Sequence, residues 1–143
     1  MNFLHVALHV LPASAEPGPE VNIGGHEFST LEIAPTLRNE PFAIGFDGAV
    51  ARLSALRRMF VEPDGSFVWV NSDPGQPSWQ LDDNLYDQCD RLVFVELKGQ
   101  CPLAAFDQFR EAVALPPNGY MVQLLRHAVF LAGPEFQRFA ATV

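Results

Sequence analysis

The sequence predicts an α+β fold, and three observations carry this prediction. Short alternating or apolar runs, separated by turn residues, are typical of an antiparallel sheet of about five or six strands in a meander of hairpins. Other segments repeat apolar residues at the helical period and predict two or three helices packed on one face of that sheet. The length of 143 residues is that of one domain, so we expect a single globular domain over residues 1–143.

The N-terminal segment is predicted to form the first strand. Apolar residues occupy alternate positions on one face: Leu4, Val6, Leu8 and Val10. The small residues Ala-Ser-Ala at 13–15 also follow this apolar run as a signal-peptide cleavage site would. However, no basic residue precedes the run, the run is short, and His5 and His9 interrupt it. The strand is therefore the preferred interpretation, and a cleaved signal within residues 1–15 is the alternative.

Turn residues divide the next part of the chain. Residues 12–20 are rich in proline and are predicted to form a surface loop. Gly24 and Gly25 then offer a two-residue turn between short strands at 21–23 and 26–33. This stretch therefore predicts a loop followed by a first hairpin.

The first helix is predicted to follow a short strand in which Phe42, Ile44 and Phe46 alternate. Asp47 is a suitable N-cap, because its carboxylate can accept hydrogen bonds from the free amides of the first turn. Five apolar residues then recur at the helical period: Ala49, Val50, Leu53, Leu56 and Phe60. We expect this helix to end near Met59.

Two further hairpins are predicted in the middle of the chain. The segment 62–66 reads Glu-Pro-Asp-Gly-Ser, a strong turn signal, and the apolar strand at 67–70 after it is expected to be central in the sheet. Strands at 79–86 and 91–98 form the second hairpin, which turns near 88–90. Together these segments predict an antiparallel meander.

The last part of the chain is predicted to be helical. Pro102 suits the first position of a helix, and 116–119 end it. Its inner face is formed by three apolar residues: Phe106, Phe109 and Val113. Residues 120–132 carry a helical apolar stripe and are predicted to be a helix, with an alternating strand as the alternative. A short helix at 134–141 closes the chain.

The charge balance narrows the classes of partner. The net charge is −8, eight of the nine basic residues are arginines, and Lys98 is the only lysine. A field of this sign repels nucleic acid and anionic membranes, so neither is expected as a partner. Charged residues make up only 18% of the chain, against roughly 25% in an average domain, which predicts apolar surface and a homodimer.

The two cysteines favour an intracellular protein, and the motifs present predict no cofactor. Cys89 and Cys101 would be separated by the length of a strand, so we expect two free thiols and a cytoplasmic location. No segment approaches the apolar length of a membrane helix. No motif assigns the chain to a family, and no spacing predicts a cofactor or a metal.

The segment Lys98-Gly99-Gln100-Cys101-Pro102 is the sharpest candidate site, because it joins a strand to a helix N-terminus. Helix amides would lower the pKa of the Cys101 thiol, and together with Lys98 and Gly99 they could hold an anionic ligand. A nucleophilic cysteine needs a base, and His127 is the most plausible partner. A buried, structural Cys101 is the preferred interpretation.

The remaining polar candidates are interpreted structurally. On a strand, His5 and His9 share a face but stand about 13 Å apart, too far to bind one metal ion. Whether His26 and His127 join them depends on the fold. Four acidic residues around the second hairpin are predicted to form a solvated sheet edge: Asp82, Asp83, Asp87 and Asp90.

These observations favour a non-enzymatic binding or interaction domain that self-associates. The alternative is a small enzyme or anion-binding protein with its site around Lys98–Cys101.

Overall fold

Nine strands form one antiparallel sheet in residues 4–143, which the computed structural model describes. The strands are β1 (Leu4–Val10), β2 (Glu16–Ile23), β3 (His26–Glu32), β4 (Met59–Val61), β5 (Ser66–Asn71), β6 (Trp79–Gln88), β7 (Arg91–Gln100), β8 (Tyr120–Leu124) and β9 (Val129–Ala132). The helices are α1 (Phe46–Ser54), α2 (Leu103–Ala112) and α3 (Gly133–Ala140). The α+β class is confirmed, but the sheet is larger than the predicted five or six strands.

The sheet has the strand order β2-β3-β9-β8-β1-β7-β6-β5-β4. Hairpins build its two halves, and β1 joins them by pairing with β7 on one side and β8 on the other. Strand β1 is therefore central, and most of its residues are buried, although His5 and His9 lie on the face opposite Leu4, Val6 and Leu8. The predicted meander corresponds to β4 through β7.

All three helices contribute to one core on one side of the sheet. Phe106 and Phe109 of α2 and Phe136 of α3 are fully buried there, together with the predicted inner face of β1. Each such side chain contributes on the order of 2–3 kcal/mol by leaving water. The core therefore fixes which face of every strand points away from the helices.

The opposite side of the sheet is only partly covered. Over β8 and β9, Ile33 and Leu37 from the chain after β3 pack against Met121 and Phe130. Over β4, β5, β6 and β7 no helix packs on this side within the described residues. We call this surface the open face. Its side chains include Phe60, Val68, Asp82, Tyr86, Phe94, Glu96 and Lys98.

Several predicted elements are confirmed. Gly24 and Gly25 form the β2–β3 turn with φ of 61° and 88°. Cys89 and Asp90 form the β6–β7 turn, also with positive φ. The turn at 62–66, helix α2 and the terminal helix α3 lie where the sequence predicts them.

The proline-rich segment 12–20 is a loop only up to Ala15, because β2 begins at Glu16. Strand β2 is an edge of the sheet, and an edge strand tolerates Pro17 and Pro19 because its outward backbone needs no partner. The ladder shifts register between Pro17 and Glu20.

The prediction of a helix over 120–132 is wrong, since these residues form the hairpin of β8 and β9. Strand β8 lies inside the sheet with both faces buried, Met121 on one side and Val122 on the other. Apolar residues on both faces of a strand imitate a helical stripe over so short a stretch.

The first helix also differs from its prediction. The predicted strand at 42–46 does not form, since Gly45 makes only an isolated bridge to Arg91. Helix α1 begins at Phe46 with Gly45 as its N-cap in place of Asp47, and it ends at Ser54. Arg58 then takes a positive φ of 62°, which turns the chain into β4. Strand β5 is next to the edge strand β4 and not central as predicted.

Candidate functional site

The predicted strand-to-helix site has a buried thiol at its end. Cys101 is 2% exposed, and this burial raises the pKa of its thiol to about 12. Helix α2 begins one residue beyond Pro102, its N-cap. The lowered thiol pKa that a nucleophilic Cys101 would need is not found, because desolvation outweighs the helix amides. Both cysteines are free, as predicted.

Gly99 serves the close packing of two strands. Its φ is 126°, and a Cβ atom there would overlap the carbonyl oxygen of Gln80. Only glycine fits this position without moving the backbone. Its conformation is thus explained by the sheet, without any ligand.

The other members of the predicted site lie apart from Cys101. Lys98 is exposed on the open face, in register with Asp82 and His5. Cys101 instead lines a separate cavity of about 350 Å³ with Trp79 and Pro102. His127 lies in the β8–β9 turn and lines a third cavity. The fold therefore does not bring the proposed nucleophile and base into one cavity.

His5 and His127 line one cavity, and neither His9 nor His26 belongs to its lining. His9 is buried, donates a hydrogen bond of 2.6 Å from its Nδ1 to the Arg38 carbonyl oxygen, and stacks on Phe94. Its Nε2 has no hydrogen-bond partner among residues 4–143. Desolvation lowers the pKa of His9 from 6.5 to about 4, so its ring is neutral near pH 7. His26 is exposed at the β2–β3 turn.

His5 lies beside two carboxylates that the sequence interpretation did not connect to it. Its Nε2 is 4.0 Å from Oδ2 of Asp83 and 3.9 Å from Oε2 of Glu96. The three side chains come from β1, β6 and β7 and are 35%, 20% and 27% exposed. One donor atom from each lies within 4.8 Å of the other two. We call this group the His5–Asp83–Glu96 cluster.

Asp83 joins the cluster through an unusual backbone conformation. It is in register with Phe67 and Leu97, which both face the helical core. Regular alternation would bury its carboxylate there. Its φ of 142° lies in a region that residues other than glycine rarely adopt, and it places the carboxylate near His5.

The electrostatics of the cluster follow from the two carboxylates. Burial raises the pKa of Glu96, and the neighbouring charge of Asp83 raises it further, while His5 acts in the opposite direction. Within residues 4–143, His5 is the only basic side chain within 4.0 Å of either carboxylate. Two acidic groups therefore share a half-buried position with little local positive charge.

Apolar and aromatic side chains border the cluster on the open face, which also carries Asp82 and Lys98. Phe60 is 64% exposed and Val68 is 39% exposed, and the two are paired in register on β4 and β5. Tyr86 and Phe94 stack with ring centroids 4.4 Å apart. Burial raises the pKa of Tyr86, with smaller contributions from Glu96 and Asp83. The face thus combines an apolar border with a polar centre.

A groove of about 750 Å³ lies on the same side of the sheet but at its other end. Thr30 and Leu31 of β3, Phe130 of β9 and Arg38 line it. The Arg38 guanidinium stacks over the Phe130 ring at 5.3 Å. The sequence interpretation did not identify this groove, because its walls are far apart in the chain.

No family model, curated protein or solved structure matches the chain. No helix in residues 4–143 has the length and apolar character needed to cross a membrane.

The acidic segment of β6 is not at the edge of the sheet, since β6 lies between β5 and β7. The expectation of a solvated sheet edge at Asp82 and Asp83 is therefore wrong. No sequence signal could have joined His5 to Asp83 and Glu96, because strand alternation directs Asp83 to the opposite side.

Proposed function

We propose that this protein is a non-enzymatic interaction domain that forms a homodimer through its open face. The observation that carries the proposal is the exposed pair of Phe60 and Val68 on a sheet surface that no helix covers within the described residues. Apolar surface that is contiguous and exposed is typical of interaction sites. The low fraction of charged residues, 18%, supports the same conclusion.

The open face is large enough for a dimer. Four strands at about 4.8 Å spacing span about 19 Å, and a strand of ten residues extends about 33 Å. Because β4 and β5 are shorter, the face covers on the order of 500 Å² on each copy. Two such faces amount to about 1,000 Å² in total, which is the lower limit for a specific interface.

A second copy of the chain fits the chemistry of this surface. In a two-fold symmetric interface the same residues meet from both sides. Lys98 lies among acidic residues on this face, so one copy's lysine can approach the carboxylates of the other. Phe60 and Val68 would supply the apolar contact at the border.

Substitution of the exposed valine tests the dimer. Val68→Glu should convert the dimer to a monomer, because it buries an unpaired charge in the interface. Sedimentation equilibrium at micromolar concentrations measures the change. Leu103→Glu is the matched control, since Leu103 is 40% exposed and lies at the start of α2, away from the open face. A monomeric wild-type protein, or a dimer lost only in the Leu103 variant, would contradict the proposal.

A second candidate function is a small enzyme or anionic-ligand-binding protein with its site at the strand-to-helix junction. The cavity of about 350 Å³ beside Cys101, lined also by Trp79 and Gln100, favours it. A neighbouring depression of about 410 Å³ contains Lys98 and Gly99. The two depressions share Gln100 and could accept different parts of one ligand.

Thiol alkylation separates the enzyme version of this candidate from a structural Cys101. Burial and the pKa of about 12 predict that Cys101 reacts with iodoacetamide at least about ten-fold more slowly than the exposed Cys89 near pH 7. Mass spectrometry of both peptides over time measures the two rates. Cys89→Ser is the control, because it leaves only the buried thiol. Faster reaction at Cys101 would support a nucleophile and contradict this prediction.

A further inference from the structure

We propose that the His5–Asp83–Glu96 cluster binds one divalent zinc ion per chain. One imidazole nitrogen and two carboxylate oxygens from three adjacent strands converge at a half-buried position. Imidazole and carboxylate are ordinary zinc ligands, and three protein ligands with a water in the fourth position form a common zinc arrangement. All three ligands belong to one chain, so the site does not require the proposed dimer.

The distances are compatible with a shared ion. Ligand atoms held at about 2.1 Å from zinc lie at most about 4.2 Å apart, and about 3.4 Å apart at tetrahedral angles. The Nε2 atom of His5 is within that limit of both carboxylates, at 4.0 Å and 3.9 Å. All three donor atoms lie within 4.8 Å of one another, so side-chain shifts of under about 1 Å would complete the site. Partial exposure leaves room for such shifts.

The local charge favours a cation at this point. Two carboxylates face each other with His5 as the only basic group within 4.0 Å among residues 4–143. Lys98 is in register with His5, but its side chain makes no ion pair with Asp83 or Glu96 at this distance. A divalent ion would neutralise both carboxylates without moving a strand.

The donor set favours zinc over the alkaline-earth ions. Calcium takes six to eight oxygen ligands and magnesium prefers an oxygen octahedron. Nitrogen ligation by His5 instead suits a borderline transition metal. Strand register places the His5 imidazole near the Glu96 carboxylate. His5 of β1 pairs with Lys98 of β7, and Ala7, two residues further along β1, pairs with Glu96. The ligands therefore lie on a rigid element, which favours a defined geometry.

Calorimetric titration of the untagged, chelator-treated protein with Zn²⁺ tests this proposal. We expect one ion per chain and complete loss of binding in His5→Gln. Glu96→Gln and Asp83→Asn should each weaken binding by at least about ten-fold, which is the lower end of the effect of losing even a supporting group. Circular dichroism of each metal-free variant verifies that it is folded. If Asp83→Asn does not fold, Glu96→Gln alone decides the test.

Matched controls remove one donor outside the cluster. Asp82→Asn removes the neighbouring carboxylate of β6, which accepts a hydrogen bond from the Gln80 side chain. His26→Gln removes an exposed imidazole. Both should bind zinc as the unmodified protein does. Unchanged affinity in Glu96→Gln, loss of binding in His26→Gln, or absence of zinc binding would overturn the proposal. Tighter binding of Ca²⁺ or Mg²⁺ than of Zn²⁺ would overturn the choice of metal.

The same titration on the Val68→Glu variant separates this site from the proposed dimer. One zinc ion per chain should bind whether the protein is a monomer or a dimer. Zinc binding that occurs only in the dimer would overturn the assignment of a complete site to one chain.

Discussion

At the residue scale, burial decides the protonation of two side chains that the sequence singles out, His9 and Cys101. The neutral His9 ring is enclosed by Phe94 and Phe130, and Arg38 is the charged group that faces it. The thiol of Cys101 is held protonated for the same reason, because the charged form would lose its hydration. Neither property is visible in the sequence, since it depends on the neighbours that the fold provides.

Acid should destabilise the protein through His9. Its pKa is about 4 in the folded protein and 6.5 in the unfolded chain, so the unfolded chain binds more protons between these values. The contribution of the neutral His9 ring to the free energy of unfolding is complete above pH 6.5. It is lost as the pH falls toward 4, which lowers the free energy of unfolding by up to roughly 3 kcal/mol. Urea unfolding at several pH values measures it. His9→Gln should flatten this part of the profile, whereas the exposed His26→Gln should leave it unchanged.

At the element scale, the position of each strand in the sheet explains where the structure differs from the sequence pattern. Prolines are accepted in β2 because it is an edge, and β8 reads as a helix because both of its faces are buried. Asp83 and Gly99 interrupt the regular ladder of β6 and β7 with positive φ values of 142° and 126°. These two positions shape the central hairpin of the sheet.

Gly99→Ala should destabilise the sheet. The new Cβ would overlap the Gln80 carbonyl oxygen, and the φ of 126° is strained for alanine. We expect a loss of about 3 kcal/mol in the free energy of unfolding, measured by denaturant titration.

Gly24→Ala is the control for backbone strain alone. Gly24 also has a positive φ, 61°, but a Cβ added there would have no other atom within 4 Å. This variant should lose only about 1 kcal/mol. Equal losses in the two variants would show that strand contact at Gly99 contributes nothing.

At the scale of the whole molecule, the helices cover one side of the sheet and leave the open face available. The proposed dimer and the proposed zinc site both use this face, the first at its apolar border and the second at its polar centre. Substitutions at Val68 and Glu96 test them separately. The fold itself supports neither activity, since function depends on the site and not on the architecture.

The sequence by itself determined the α+β class, the first strand, the turns at Gly24-Gly25 and 62–66, and the helix at 103–112. These features follow from local periodicity and turn chemistry, which act over a few residues. Only the tertiary structure decided the size of the sheet, the strand identity of 120–132 and the His5–Asp83–Glu96 cluster. Strand pairing joins residues as distant as His5 and Glu96, and a positive φ at Asp83 reverses its side chain. Such contacts depend on which strands become neighbours, and no local pattern encodes that choice.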